Sequence, residues 1–225
     1  MRQFIVVEGL IGVGKTSLCK LLSETWNGRL VLEPSETNPF LKPFYEEPER
    51  FGFPVQMYYL VTRWKQQAAI RQEELFSQFV VSDYLFEKDR LFAEKTLSPM
   101  ELELYDRFAG ALGEKSPKPD LLIFLDAPTD VIMKRISKRN APGEHLIKST
   151  YLIDLRERYK RLLEDWTACP VLYLDNRDMD YLTDAGVREV LLEKIEAALA
   201  GKLPQTTPGS DPDREAQPSL FGTRD

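Results

Sequence analysis

Cysteine and histidine are nearly missing from this chain: its 225 residues hold two cysteines, Cys19 and Cys169, and one histidine, His145. Two thiols are too few for a disulfide framework, and their spacing to His145 suits no metal site. No apolar stretch approaches the ~18 residues that a membrane span needs, so no membrane partner is expected. No internal repeat is visible. The net charge is −6, which argues against a nucleic-acid partner. A glycine-rich motif already begins at residue 9, leaving no expected room for a signal or transit peptide. What is present is ordinary: 43% hydrophobic and 29% charged residues, enough for one full core. A single soluble domain in a reducing cytoplasm is the expectation, with Cys19 a buried structural thiol.

The motif is Gly9-Leu10-Ile11-Gly12-Val13-Gly14-Lys15-Thr16, followed by Ser17. It follows the apolar run Phe4–Val7 and precedes Ser17–Leu22, which reads as the first turns of a helix. Strand, glycine loop and helix N-terminus in that order form a phosphate loop. Backbone N–H groups turn inward around a polyphosphate, and the helix dipole adds partial positive charge. Lys15 is placed to reach the β- and γ-phosphates of ATP, and the Thr16 hydroxyl to ligate Mg²⁺. A glycine-rich turn that binds nothing would leave the lysine without a purpose.

Phe4–Val7, Phe79–Ser82, Leu121–Leu125 and Val171–Leu174 read as buried parallel strands, with Leu30–Leu32 a weaker fifth. Helical stretches between them predict an α/β doubly wound five-stranded parallel sheet with helices on both faces. Ligand chemistry then gathers at the carboxyl ends of the strands, at Glu8/Gly9, Glu33-Pro34, Asp83 and Asp126. The domain is expected to span residues 1–200. Residues 201–225 hold four prolines and three glycines and read as a disordered tail. Within it, Gln217-Pro-Ser-Leu-Phe221 is similar to the peptides by which bacterial proteins dock on the replication sliding clamp, Pro218 departing from the usual leucine. The sequence favours the plainer reading, a chance apolar pair in a tail.

Charge is uneven along the chain. Residues 131–161 hold nine Lys or Arg against three acids, an excess that suits a small anionic ligand. Between the second and third strands lies a segment dense in aromatics and prolines, Asn38 to Gln56. The helix after it places Gln56, Tyr59, Leu60 and Arg63 on one face. An amide and a guanidinium beside aromatic rings can read a base edge and stack on a base. Composition alone leaves Gln56 open between that role and a solvated surface position.

The phosphate loop, Glu33-Pro34, Tyr45-Glu-Glu-Pro-Glu-Arg50-Phe, Phe53-Pro-Val-Gln56 and Asp89-Arg90-Leu-Phe-Ala93 together resemble the deoxyribonucleoside kinase family. This is the family of deoxycytidine, deoxyguanosine and deoxyadenosine kinases and of the broad insect enzyme. The resemblance covers roughly residues 1–200. It implies a P-loop kinase-like fold with an arginine-bearing lid, and transfer of the γ-phosphoryl of ATP to the 5′-hydroxyl of a deoxyribonucleoside with Mg²⁺. A homodimer is implied as well. Tyr45 resembles the tyrosine at the deoxyribose 3′-hydroxyl and Gln56 the amide at the base edge. Arg63 and Asp89 resemble the pair completing the base pocket, and Glu33 the carboxylate near the 5′-hydroxyl.

The match departs at one place. Where the family has an acid followed by an arginine after the third strand, this chain has Asp83-Tyr84. Asp83 keeps the chemistry of a base for the hydroxyl proton and of a Mg²⁺ partner through water. Tyr84 carries no charge, so Arg90 or a lid arginine becomes the candidate replacement. The lid is expected on the helix after Leu121–Pro128, with Thr129 or Asp130 as N-cap and Arg135 and Arg139 one turn apart. Those two guanidiniums suit the transferring phosphoryl. Glu144 aligns with the lid acid that meets the 3′-hydroxyl, and Ala141 replaces a further lid arginine. Two alternatives stand beside this reading: a thymidylate-kinase-type enzyme acting on a monophosphate, and a non-catalytic accessory relative. A guanine-nucleotide switch is disfavoured because the chain lacks an Asn-Lys-x-Asp motif.

Overall fold

The computed structural model describes residues 3–33, 37–72, 78–113, 117–141 and 143–203. The clamp-like peptide and all but the first three residues of the expected tail lie outside them.

Five strands build one parallel sheet: β1 (Gln3–Gly9), β2 (Arg29–Val31), β3 (Phe79–Ser82), β4 (Leu121–Asp126) and β5 (Val171–Asp175). Their order is β2-β3-β1-β4-β5, with every pairing parallel. The central strands are buried on both faces, which is why they are continuous apolar runs rather than alternating ones. The fold class read from the sequence is therefore the observed one.

The connection from β1 runs outward to β2, whereas that from β3 crosses β1 to reach β4. Adjacent strands whose connections leave in opposite directions open a crevice at their carboxyl ends. Glu8, Gly9 and Asp83 border that crevice. Helices α1 (Lys15–Thr25), α6 (Thr129–Arg139), α7 (Ser149–Glu164) and α8 (Ala185–Leu199) complete the core with the sheet. Cys19 is fully buried in it, as the sequence predicts.

Helices α2 (Leu41–Glu46), α3 (Pro48–Gln72), α4 (Lys88–Thr96) and α5 (Pro99–Gly113) form a second layer. Leu60, Ala93, Leu97 and Tyr105 make its small separate core. The aromatic segment is thus largely helical: α3 begins at Pro48, where proline's fixed φ suits a first helical position, and carries Pro54 in its second turn. Two local expectations are corrected. The phosphate-loop helix starts at Lys15, not Ser17. The lid helix α6 has Pro128 at its N-cap and no side-chain cap, so neither Thr129 nor Asp130 serves; the Thr129 hydroxyl instead accepts from Arg156 at 2.9 Å.

Candidate active site

The loop between β1 and α1 is shaped by three glycines at positive φ, Gly9 (143°), Gly12 (82°) and Gly14 (110°). A Cβ at Gly9 would stand 2.2 Å from the Leu125 carbonyl oxygen, so only glycine lets the loop leave the sheet there. The Lys15 ammonium donates to the Gly9 and Leu10 carbonyls at 2.8 and 3.0 Å. Burial, helped by Lys88, draws its pKa down to about 8. Arg135 donates to the Val13 carbonyl at 3.3 Å and the Asn176 carbonyl at 2.8 Å, and the Asn176 amide to Val13 at 2.6 Å. These bonds tie the phosphate loop to the segment after β5. Between them lies a pocket of about 530 Å³, lined by the loop, Arg135, Arg139 and residues 176–182. Its cationic lining, Lys15, Arg135, Arg139 and Arg177, suits a polyphosphate.

At the floor of the crevice Thr16 Oγ1 donates to Asp83 Oδ2 at 2.7 Å, and the Glu33 backbone N–H donates to Asp83 Oδ1 at 2.6 Å. The carboxyl is pushed above the ordinary aspartate value by burial, against the Thr16 hydrogen bond and the Lys88 and Lys15 charges. A hydroxyl and a carboxylate side by side are hard oxygen donors, a set that fits Mg²⁺.

Opposite the phosphate loop, the sequence-predicted pair Arg63 and Asp89 is indeed joined, and Arg63 also pairs with Glu33. The guanidinium lies against Tyr59 at 4.7 Å and Tyr84 at 5.6 Å. Gln56 is buried, not solvated; its amide donates to Thr96 Oγ1 at 3.1 Å. On the lid side Arg139 Nε donates to Glu144 Oε2 at 3.0 Å. Gly143, at φ 83°, rests on the Tyr45 ring: a Cβ there would meet Tyr45 Cδ2 at 2.5 Å. Tyr45 and Glu144 are thereby neighbours, and burial, then Tyr151 and Glu144, raise the Tyr45 phenol.

One candidate is displaced. Arg90 is 59% exposed and pairs with Asp106 and Glu94, away from the crevice, so it does not replace the charge missing at Tyr84. Sequence reasoning missed Lys88 and underused Glu8. Glu8 is buried and accepts from Leu85 N–H at 2.6 Å, Gly9 N–H at 3.1 Å and the Tyr159 hydroxyl at 2.9 Å. The Lys88 ammonium sits between Glu8 Oε1 at 3.1 Å and Glu33 Oε2 at 3.4 Å. Burial lowers its pKa while Glu8 raises it. A carboxylate next to a phosphate loop was the available signal for Glu8; none marked Lys88.

A parallel sheet with this strand order, a glycine loop at its centre and oxygen donors at the adjacent strand end define the P-loop kinase α/β fold. The comparisons narrow the class. The sequence profile for deoxynucleoside kinases matches residues 5–200, and the chain belongs to that family. A deoxyguanosine kinase of Bacillus subtilis (strain 168) is 35% identical, over 80% of this chain and 89% of the relative. A deoxyadenosine/deoxycytidine kinase of the same organism is 31% identical, over 88% and 93% respectively. The fold matches the structure of a deoxyadenosine kinase from M. mycoides with products dCMP and a flexible dCDP bound, at TM-score 0.73 and 22% identity, covering 87% of this chain and all of that one. Membership favours neither the monophosphate-kinase nor the accessory alternative.

Proposed function

We propose that the chain transfers the γ-phosphoryl of ATP to the 5′-hydroxyl of a deoxyribonucleoside, in the cytoplasm and as a homodimer. The observation that carries this is the meeting of Asp83 with Thr16 and the Glu33 backbone, between a basic pocket and a buried charged one. ATP lies in the first, its phosphates on the loop N–H groups of residues 9–17 and on Lys15. Thr16 and Asp83 would hold Mg²⁺, which would supply positive charge against the phosphates. Arg135 and Arg139 approach the transferring group. The nucleoside lies against Arg63, Asp89 and Gln56, with Tyr45 and Glu144 at its 3′-hydroxyl. Asp83 takes the 5′-hydroxyl proton as that oxygen attacks, and Glu33 orients the hydroxyl.

Turnover of the four deoxyribonucleosides with ATP–Mg²⁺ tests this, with the corresponding monophosphates and ribonucleosides as comparisons. At least one deoxyribonucleoside, deoxyguanosine and deoxyadenosine being first to try, is phosphorylated and its monophosphate is not. The ribonucleoside is at least about 5-fold poorer in kcat/KM, the cost of leaving a 2′-hydroxyl unpaired against Tyr45 and Glu144. Phosphorylation of the monophosphates alone would overturn the reading.

A further inference from the structure

We infer that Lys88 is a positioning residue for the transfer: its buried ammonium holds the Glu33 carboxylate in place and supplies, from helix α4, the positive charge that Tyr84 lacks. The inference rests on the reading that Glu33 stands at the acceptor hydroxyl.

Lys88 is 2% exposed, and a lysine is seldom buried so fully without a paired charge. Its two partners differ. Glu8 is fixed by the Leu85 and Gly9 N–H groups and the Tyr159 hydroxyl, so it forms a post continuous with the phosphate loop. Glu33 lies two residues beyond β2, and its side chain is 20% exposed. Anchoring the fold would need Glu8 alone; the second contact leads to the carboxylate that borders the crevice. Arg63 takes Glu33 Oε1 while Lys88 takes Oε2, so both oxygens are oriented. Lys88 thus transmits the position of the phosphate loop to Glu33 through two charge-assisted contacts.

The arginines that the sequence offered for this charge are engaged elsewhere. Arg90 faces Asp106 and Glu94, Arg135 faces the Val13 and Asn176 carbonyls, and Arg139 faces Glu144. Tyr84, at the strand end, is fully buried and its ring lies on Arg63. A cation at 84 is therefore replaced not in sequence but in space, one turn further on and from a helix.

A double-mutant cycle tests this with ATP–Mg²⁺ and the best deoxyribonucleoside. Lys88→Gln is expected to lower kcat about 10²-fold, the scale of losing one preorganised charge contact. Both KM values stay within about threefold, because Lys88 does not line the polyphosphate pocket and reaches the nucleoside side through Glu33. In a Glu33→Gln background the same change costs less than about threefold, because the lysine acts through that carboxylate. If the single variant fails to fold, the comparison is made between Glu8→Gln and Glu8→Gln/Lys88→Gln, in which the removed cation is matched by a removed anion. Retention of kcat within about threefold on losing Lys88, or a full loss persisting in the Glu33→Gln background, overturns the proposal. Full kcat in Glu33→Gln itself would instead overturn the placement of Glu33 at the acceptor hydroxyl, and the proposal with it.

Discussion

The two halves of the crevice hold their charges differently. On the phosphate side, Lys15 and Arg135 donate to backbone carbonyls, and Arg139 is half exposed with one lid acid. On the nucleoside side, Arg63, Lys88, Glu8 and Asp89 are almost entirely buried and already paired with one another. The contacts of the first half are with backbone carbonyls and one half-exposed pair, which a polyphosphate can replace on the proposed reading. The second half is assembled by folding, so its charges are part of the core. Damage to the two halves should therefore register in different measurements.

The largest effect should fall on the nucleoside side and appear as stability. Arg63→Met leaves the buried Asp89 without its guanidinium and Glu33 with Lys88 alone, which costs about 3–5 kcal/mol. Thermal or denaturant unfolding checks this; a loss under about 1 kcal/mol would mean water reaches the pair, and the contrast between halves would dissolve. Next comes Lys15→Ala, expected to cut kcat by about 10²- to 10³-fold. Its unfolding midpoint should barely move, because the ammonium gives up only two hydrogen bonds, both to loop carbonyls. Unchanged kinetics would remove the phosphate loop from the mechanism. The smallest effect is expected for Arg139→Gln in the lid: about tenfold in kcat and under about 1 kcal/mol in stability, as for exposed ion pairs. A stability loss as large as that of Arg63→Met would show the lid to be core rather than gate.

The sheet was legible because four of its five strands are short apolar runs ending in a polar residue or glycine. Only boundaries moved, and those by a residue or two: β1 extends to Gly9 and β5 to Asp175. The phosphate loop was legible because its chemistry is contiguous. Arg63 with Asp89, and Tyr45 beside Glu144, came from family resemblance, and the geometry brings each pair together. What could not be read was burial of charge. Nothing in Phe86-Glu-Lys-Asp-Arg90 says that Lys88 and Asp89 turn inward while Arg90 turns out. That choice is made by the packing of α4 against α3 and α7, and local sequence does not carry it. Helix capping failed for a related reason: Thr129 looks like a cap, but Arg156 claims its hydroxyl from a distant helix.

The ring of Tyr84 sits in the same dry space as Arg63, while Lys88 occupies the carboxylates nearby. An arginine introduced at 84 today would meet two resident cations before it found an acid. A lysine lost first from 88 would leave the buried Glu8 without its cation and Glu33 with Arg63 alone. Either single step away from the present arrangement passes through a poorly folded or poorly active intermediate. Positions 84 and 88 are therefore coupled, and a substitution at one is expected to be tolerated only with a compensating change at the other.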